Sequence, residues 1–281
     1  MKPIRAAAVQ MSSTADRAAN LLSAERLVRE AAAGGAGFVG LPENFAAMAI
    51  EGVEIGDTET LDGAIVRWGA DLARELAVDL LLGSIPERGR RAGFRRNTSV
   101  LIDRHGAVTS VYRKVHLFDV ELSGRSLRES TVVEPGDELV WADFPWGRVG
   151  LSVCYDLRFP ELYRGLRFGG AEVLAVPSAF TRETGPDHWH LLLRARAVEN
   201  QAFVVAPAQV GRHGPKRSSY GHAAIVDPWG ELLADAGGDG EGLAMADLDP
   251  SLLSAASARI PCLTHSRDWL RRGLTRAHAT T

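Results

Sequence analysis

The chain has 281 residues, 46% hydrophobic and 24% charged, which are globular values that exclude disordered, collagenous and coiled-coil classes. Its formal net charge of −3 supplies no global field for nucleic acid or anionic lipid. No apolar run reaches the roughly 20 residues of a membrane span, and residues 1–11 lack a signal peptide's apolar block, so a cytosolic protein without nucleic-acid or membrane partners is expected.

Short apolar runs alternate with helical patterns from the start. Residues 4–11 read as a strand, 15–33 as an alanine-rich helix and 37–41 as a second strand. A helix over about 62–77 leads into a strand at 78–85. Residues 97–102 and 107–112 flank Asp103-Arg104-His105-Gly106, turn chemistry that pairs them as a hairpin. The second half repeats the rhythm: strand 149–153, helix 161–168, strand 172–176, helix 188–200 and strand 202–206. Strands at 219–226 and 242–248 follow, separated by Asp227-Pro228-Trp229-Gly230 and an Asp/Gly cluster. No Ser/Pro/Gly linker divides the chain, so one domain is expected over 1–281, with its core at about 4–268. Helices in both halves must bury an apolar stripe against a sheet, which points to two β-rich layers covered by helices. The strand order is not readable, although the hairpin and the consecutive strands after Tyr220 argue against eight strict βα units.

Cys154 ends the apolar strand and precedes Tyr155-Asp156-Leu157-Arg158-Phe159-Pro160, where Pro160 suits a first helical turn. A thiol at a strand-to-helix turn can face a cleft, where nearby N–H groups favour a thiolate and bind an oxyanion. The same residue is equally a small buried hydrophobe. Glu43 follows the apolar Phe38-Val39-Gly40-Leu41 and the rigid Pro42. Poor hydration there would raise its pKa and suit it to general-base work, with a surface-turn glutamate as the plain alternative. Lys114 ends the second hairpin strand, where it can support an anionic intermediate or simply be solvated.

Together, Leu41-Pro42-Glu43, Tyr112-Arg113-Lys114-Val115-His116-Leu117-Phe118 and Gly150 to Glu161 resemble, in order and approximate spacing, the catalytic segments of the nitrilase superfamily of carbon–nitrogen hydrolases. The resemblance implies an αββα sandwich and a catalytic set of Glu43, Lys114 and Cys154, joined by Glu129 and the Tyr155 backbone N–H. Thiol catalysis suits a slow amide, because a thioester divides hydrolysis into acylation and deacylation. Ser178 to Thr181, His188-Trp189, Leu192 to Gln201 and Ser219 to His222 resemble the Nit branch. Gln209 to His213 and Lys216 to Tyr220 are similar to members of that branch that hydrolyse deaminated glutathione to 2-oxoglutarate and cysteinylglycine. An ω-amidase acting on 2-oxoglutaramate and an N-carbamoyl amino acid amidohydrolase are the alternatives.

Arg158, Phe180 and Thr184 align with substrate-binding positions of the branch. Arg158 has the fork to hold a substrate carboxylate; an ion pair with Asp156 or Glu161 is its plain alternative. The resemblance also implies a homodimer or larger assembly around a small-molecule amide substrate. The run Arg88, Arg90, Arg91, Arg95 and Arg96 reads as a flexible exposed loop, and Cys262 as a packed or tail thiol. His188 and His190, two apart on a helix, face different ways and read as structural. No metal or cofactor is expected, since Gly34-Gly35-Ala36-Gly37 lacks the dinucleotide order. Two other classes stay open: a metal-dependent hydrolase using the histidines, and a binding protein that kept the fold without catalysis.

Overall fold

The structure is a computed structural model that describes residues 1–48, 58–122, 124–215 and 217–267. Lys216 and Asp268, quoted above, lie outside the described residues.

Alternation along the strands sets up four layers. Along Ile4–Met11, Ala6 and Ala8 pack toward a second sheet, while Ala7, Val9 and Met11 pack beneath helices. Strands Asp79–Arg88 and Arg95–Ile102 do the same: Leu81 and Leu101 face the other sheet, and Leu80, Leu82, Val100 and Ile102 face the helices. Both faces are therefore buried, which is why these strands carry unbroken apolar stretches at 6–9, 80–82 and 100–102. Helices Arg17–Ala33 and Ala64–Leu76 cover the first sheet through Leu27, Val28, Ile65 and Leu72. Helices Pro160–Phe168 and Gly185–Asn200 cover the second through Leu162, Tyr163, Trp189 and Leu193. The result is an αββα sandwich.

The first sheet runs in the order 218–220, 208–212, 4–11, 38–40, 79–88, 95–102 and 108–113, with Gly242–Leu248 also antiparallel to Ile4–Met11. The second runs 232–235, 224–226, 203–206, 173–175, 147–151 and 141–144. Local chemistry marks the helix starts. Asp16 accepts the Ala19 N–H at 3.0 Å, and Pro160 takes the first turn of its helix.

Two readings need correction. Residues 219–226 are two strands in different sheets, Ser218–Tyr220 and Ala224–Val226, because Gly221 (φ 82°) and His222 (φ 58°) turn the chain between them. The arginine run is only partly a loop: Arg88 and Arg95 lie in paired strands, and Arg96 is buried against Glu134 at 3.3 Å. Asp119–Leu122 pairs with Arg125–Arg128 in a further hairpin, which leaves little trace in the sequence because half-exposed strands of four residues give little periodicity.

Candidate active site

Three chain crossings deliver Glu43, Lys114 and Cys154 to one place. Glu43 leaves the first sheet just past Phe38–Gly40, where Leu41 and Pro42 pass so close to Gly83 that a Cβ there would stand 1.8 Å from the Leu41 carbonyl oxygen. The next residue, Asn44, turns with φ 57° and donates its N–H to Ser84 Oγ at 2.8 Å. Lys114 follows strand Val108–Arg113, tied by its N–H to the Asn97 carbonyl at 2.9 Å. Cys154 follows Gly147–Leu151 and opens a short 3-10 turn over Cys154–Arg158.

The turn is strained and braced. Cys154 has φ 51°, a left-handed conformation that costs a non-glycine residue on the order of 1 kcal/mol. Its N–H donates to the Pro177 carbonyl at 3.0 Å. Asp156, fully buried beneath, accepts the Val153 N–H at 2.8 Å, the Tyr112 hydroxyl at 2.7 Å and the His116 N–H at 3.0 Å, and lies 2.7 Å from His116 Nδ1. His116 in turn stacks on Phe159 at 3.6 Å. The sequence offers Asp156 only as part of the segment after Cys154 and as an alternative partner for Arg158.

Lys114 Nζ donates to Glu43 Oε1 at 3.0 Å and to Glu129 Oε2 at 2.9 Å. Glu43 Oε2 accepts the Ala179 N–H at 2.8 Å, and Glu129 Oε2 the Phe118 N–H at 2.7 Å. Asn97, absent from the sequence-based site, donates to Glu43 Oε1 at 2.8 Å and Glu129 Oε1 at 3.1 Å. Its signal was available: a carboxamide within a strand buried on both faces must find polar partners. Gln209 was quoted only as part of the branch resemblance; it holds the Glu43 carbonyl at 3.0 Å.

The electrostatics correct one expectation. Burial does push the Glu43 carboxyl up, but the Lys114 ammonium and hydrogen bonds from Cys154, Lys114 and Asn97 outweigh it and leave the group below its ordinary range. Burial would lower Lys114, yet Glu129 and Glu43 hold it firmly as ammonium. Burial first, and the Glu43 charge second, push the Cys154 thiol well up. Both directions favour a neutral thiol beside a charged carboxylate over the thiolate the turn alone suggests.

All eight residues singled out from the sequence line one cavity of about 610 Å³: Glu43, Lys114, Glu129, Cys154, Tyr155, Arg158, Phe180 and Thr184. Tyr155 packs edge-on against Phe118 and Phe159. Arg158 makes no ion pair with Asp156 or Glu161. Its Nη2 donates to Thr184 Oγ1 at 3.4 Å, Nη1 lies 3.3 Å from His188 Nδ1, and its guanidinium sits 5.1 Å from the centre of the Phe180 ring. His190 and His222 instead flank Asp235, at 2.8 and 3.0 Å, away from the cavity lining. A thiol and a carboxylate lining one cavity, with an ammonium bonded to that carboxylate, can together attack a carbonyl, move the proton and support the oxyanion.

The fold and the lining of the cavity fit the nitrilase kind of carbon–nitrogen hydrolase, and the comparisons show the family. Residues 5–258 match the carbon-nitrogen hydrolase family. Deaminated glutathione amidase of Synechocystis is 44% identical over 269 residues, 94% of this chain and 98% of that one. Among solved structures, the C. elegans NitFhit protein superposes with a TM-score of 0.87 at 36% identity, covering 96% of this chain and 66% of that longer one. Saccharomyces cerevisiae Nit3, a member of branch 10 of the nitrilase superfamily, gives 0.80 at 33% identity, covering 92% and 95%. The chain belongs to the carbon-nitrogen hydrolase family, and is a hydrolase of carbon–nitrogen bonds other than peptide bonds. No helix among the described residues is long and apolar enough to cross a membrane.

Proposed function

We propose that the protein is an amidase that cleaves deaminated glutathione to 2-oxoglutarate and cysteinylglycine through a thioester on Cys154. The carrying observation is Glu43, whose carboxylate accepts from Lys114 Nζ at 3.0 Å and lines the same cavity as Cys154, with Arg158 in its wall. The substrate assignment draws on the name of the Synechocystis relative. As the Cys154 sulfur attacks the amide carbon, Glu43 takes the thiol proton. Lys114 Nζ and the Tyr155 backbone N–H support the oxyanion, and Glu129 orients Lys114. Collapse breaks the C–N bond, and the amine leaves with the proton from Glu43. Water then attacks the thioester, giving its proton to Glu43, which returns one to sulfur. Arg158, with Phe180 and Thr184 beside it, holds the carboxylate of the 2-oxo acid.

The chain acts in this reading as one catalytic domain over 1–281, assembled as a homodimer or larger. Leu191 and Val198, seven apart on one helix, and Trp229 and Leu232 from the neighbouring hairpin stay exposed on a face that a second copy would cover.

Side-by-side assays on deaminated glutathione, 2-oxoglutaramate and N-carbamoyl amino acids test the substrate. Deaminated glutathione should rank first; 2-oxoglutaramate first would make the protein an ω-amidase, and N-carbamoyl compounds first would overturn both readings. Cys154→Ala should abolish turnover and the trapped acyl adduct, while Cys262→Ala leaves both intact. An adduct mapped elsewhere by mass spectrometry would refute the nucleophile.

A further inference from the structure

We propose that Arg95 forms a second anion subsite, on the leaving-group side of the cavity, that receives a carboxylate carried by the amine half of the substrate. This deepens the amidase reading above and rests on it. Arg95 opens strand Arg95–Ile102 with its backbone pinned on both sides: its N–H donates to the Val132 carbonyl, and its carbonyl accepts the Glu134 N–H. Two residues on, Asn97 bonds both Glu43 and Glu129. Residues i and i+2 of a strand share a face, so the root of Arg95 lies roughly 7 Å from Asn97 on the same side, and Arg95 is among the residues lining the cavity.

The chemistry assigns the direction. Glu43 must hand its proton to the departing amine, so the amine half lies toward the wall that carries Glu43, Asn97 and Arg95. Arg158 reaches the cavity from beyond the second sheet's strand Gly147–Leu151, beside Phe180, and serves the acyl half. An amide with an anion at each end then spans two guanidinium groups supplied by different sheets.

The charges around Arg95 call for such a ligand. Its guanidinium makes no hydrogen bond or ion pair among the described residues, although it is more than half withdrawn from water. Burial lowers its pKa; Glu129 works in the other direction and the nearby Arg217 cation adds to the lowering. Glu129 already serves Lys114, Asn97 and the Phe118 N–H. A half-buried cation beside a second one, with its nearest carboxylate engaged, gains from an incoming anion. The ligand class is an N-substituted amide whose leaving amine is an amino acid or dipeptide with a free carboxylate.

The test compares deaminated glutathione with its analogue amidated at the glycine carboxylate. The wild-type enzyme should prefer the free acid in kcat/KM by about 10- to 100-fold, the range for one charge-assisted contact. In Arg95→Met that preference should collapse toward one, mainly through KM, while Arg95→Lys keeps part of it. Equal turnover of acid and carboxamide by the wild type would overturn the subsite and leave the amidase reading standing. An undiminished preference in a folded Arg95→Met would do the same. Turnover of neither compound, with small neutral amides still hydrolysed, would overturn the substrate reading and the subsite with it.

Discussion

A carboxylate held below its ordinary 4.5 and a thiol held above its ordinary 9.0 leave nothing to titrate between them in the proposed nucleophile pair. Acylation measured by single turnover should therefore be flat across that interval, since Glu43 stays charged and Cys154 stays protonated throughout. An inflection near neutrality would show instead a preformed thiolate pair and overturn the general-base role. Glu43→Gln keeps the shape but accepts no proton, so it should slow both half-reactions about 100-fold or more at every pH. At this scale the sequence pointed to Glu43, Lys114 and Cys154, which share one cavity, because their flanking residues form recognisable segments. It was a poor guide to the sign of the Glu43 shift, which depends on Lys114, 71 positions away.

Among elements, the turn over Cys154–Arg158 joins a left-handed residue to a carboxylate that braces it from beneath. Asp156→Asn would present an N–H₂ group to donors that now meet a carboxylate, losing charge-assisted bonds from Tyr112, Val153 or His116. Urea unfolding should register a loss of about 3 kcal/mol or more, and the relaxed turn should alter the alkylation rate of Cys154. A variant within about 0.5 kcal/mol of wild type would show that Asp156 does not hold the turn. The strand and helix either side of this turn were legible, by apolar run and by Pro160. The bracing was not, because Tyr112 lies in the other sheet and His116 in the loop after it, and no local pattern announces such contacts.

On the scale of the whole molecule, the exposed Leu191, Val198, Trp229 and Leu232 make assembly testable. Sedimentation velocity should find a dimer or larger species, and Leu191→Glu with Val198→Glu should shift it toward monomer; a wild-type monomer at micromolar concentration would remove the assembly proposal. The layer count was readable from helices recurring in both halves. The strand order was not, because it depends on long-range pairing, most plainly Ile4–Met11 against Gly242–Leu248. That pairing shapes how the chain folds. Arg5 and Asp247, which bond across it at 2.8 Å, stand 242 positions apart. A nascent chain leaving the ribosome must keep one edge of its first strand unpaired until nearly all the rest is made. Closing so long a loop is slow, and an open strand edge invites wrong partners, so the central sheet is where folding in the cell is most exposed to aggregation and to chaperone capture.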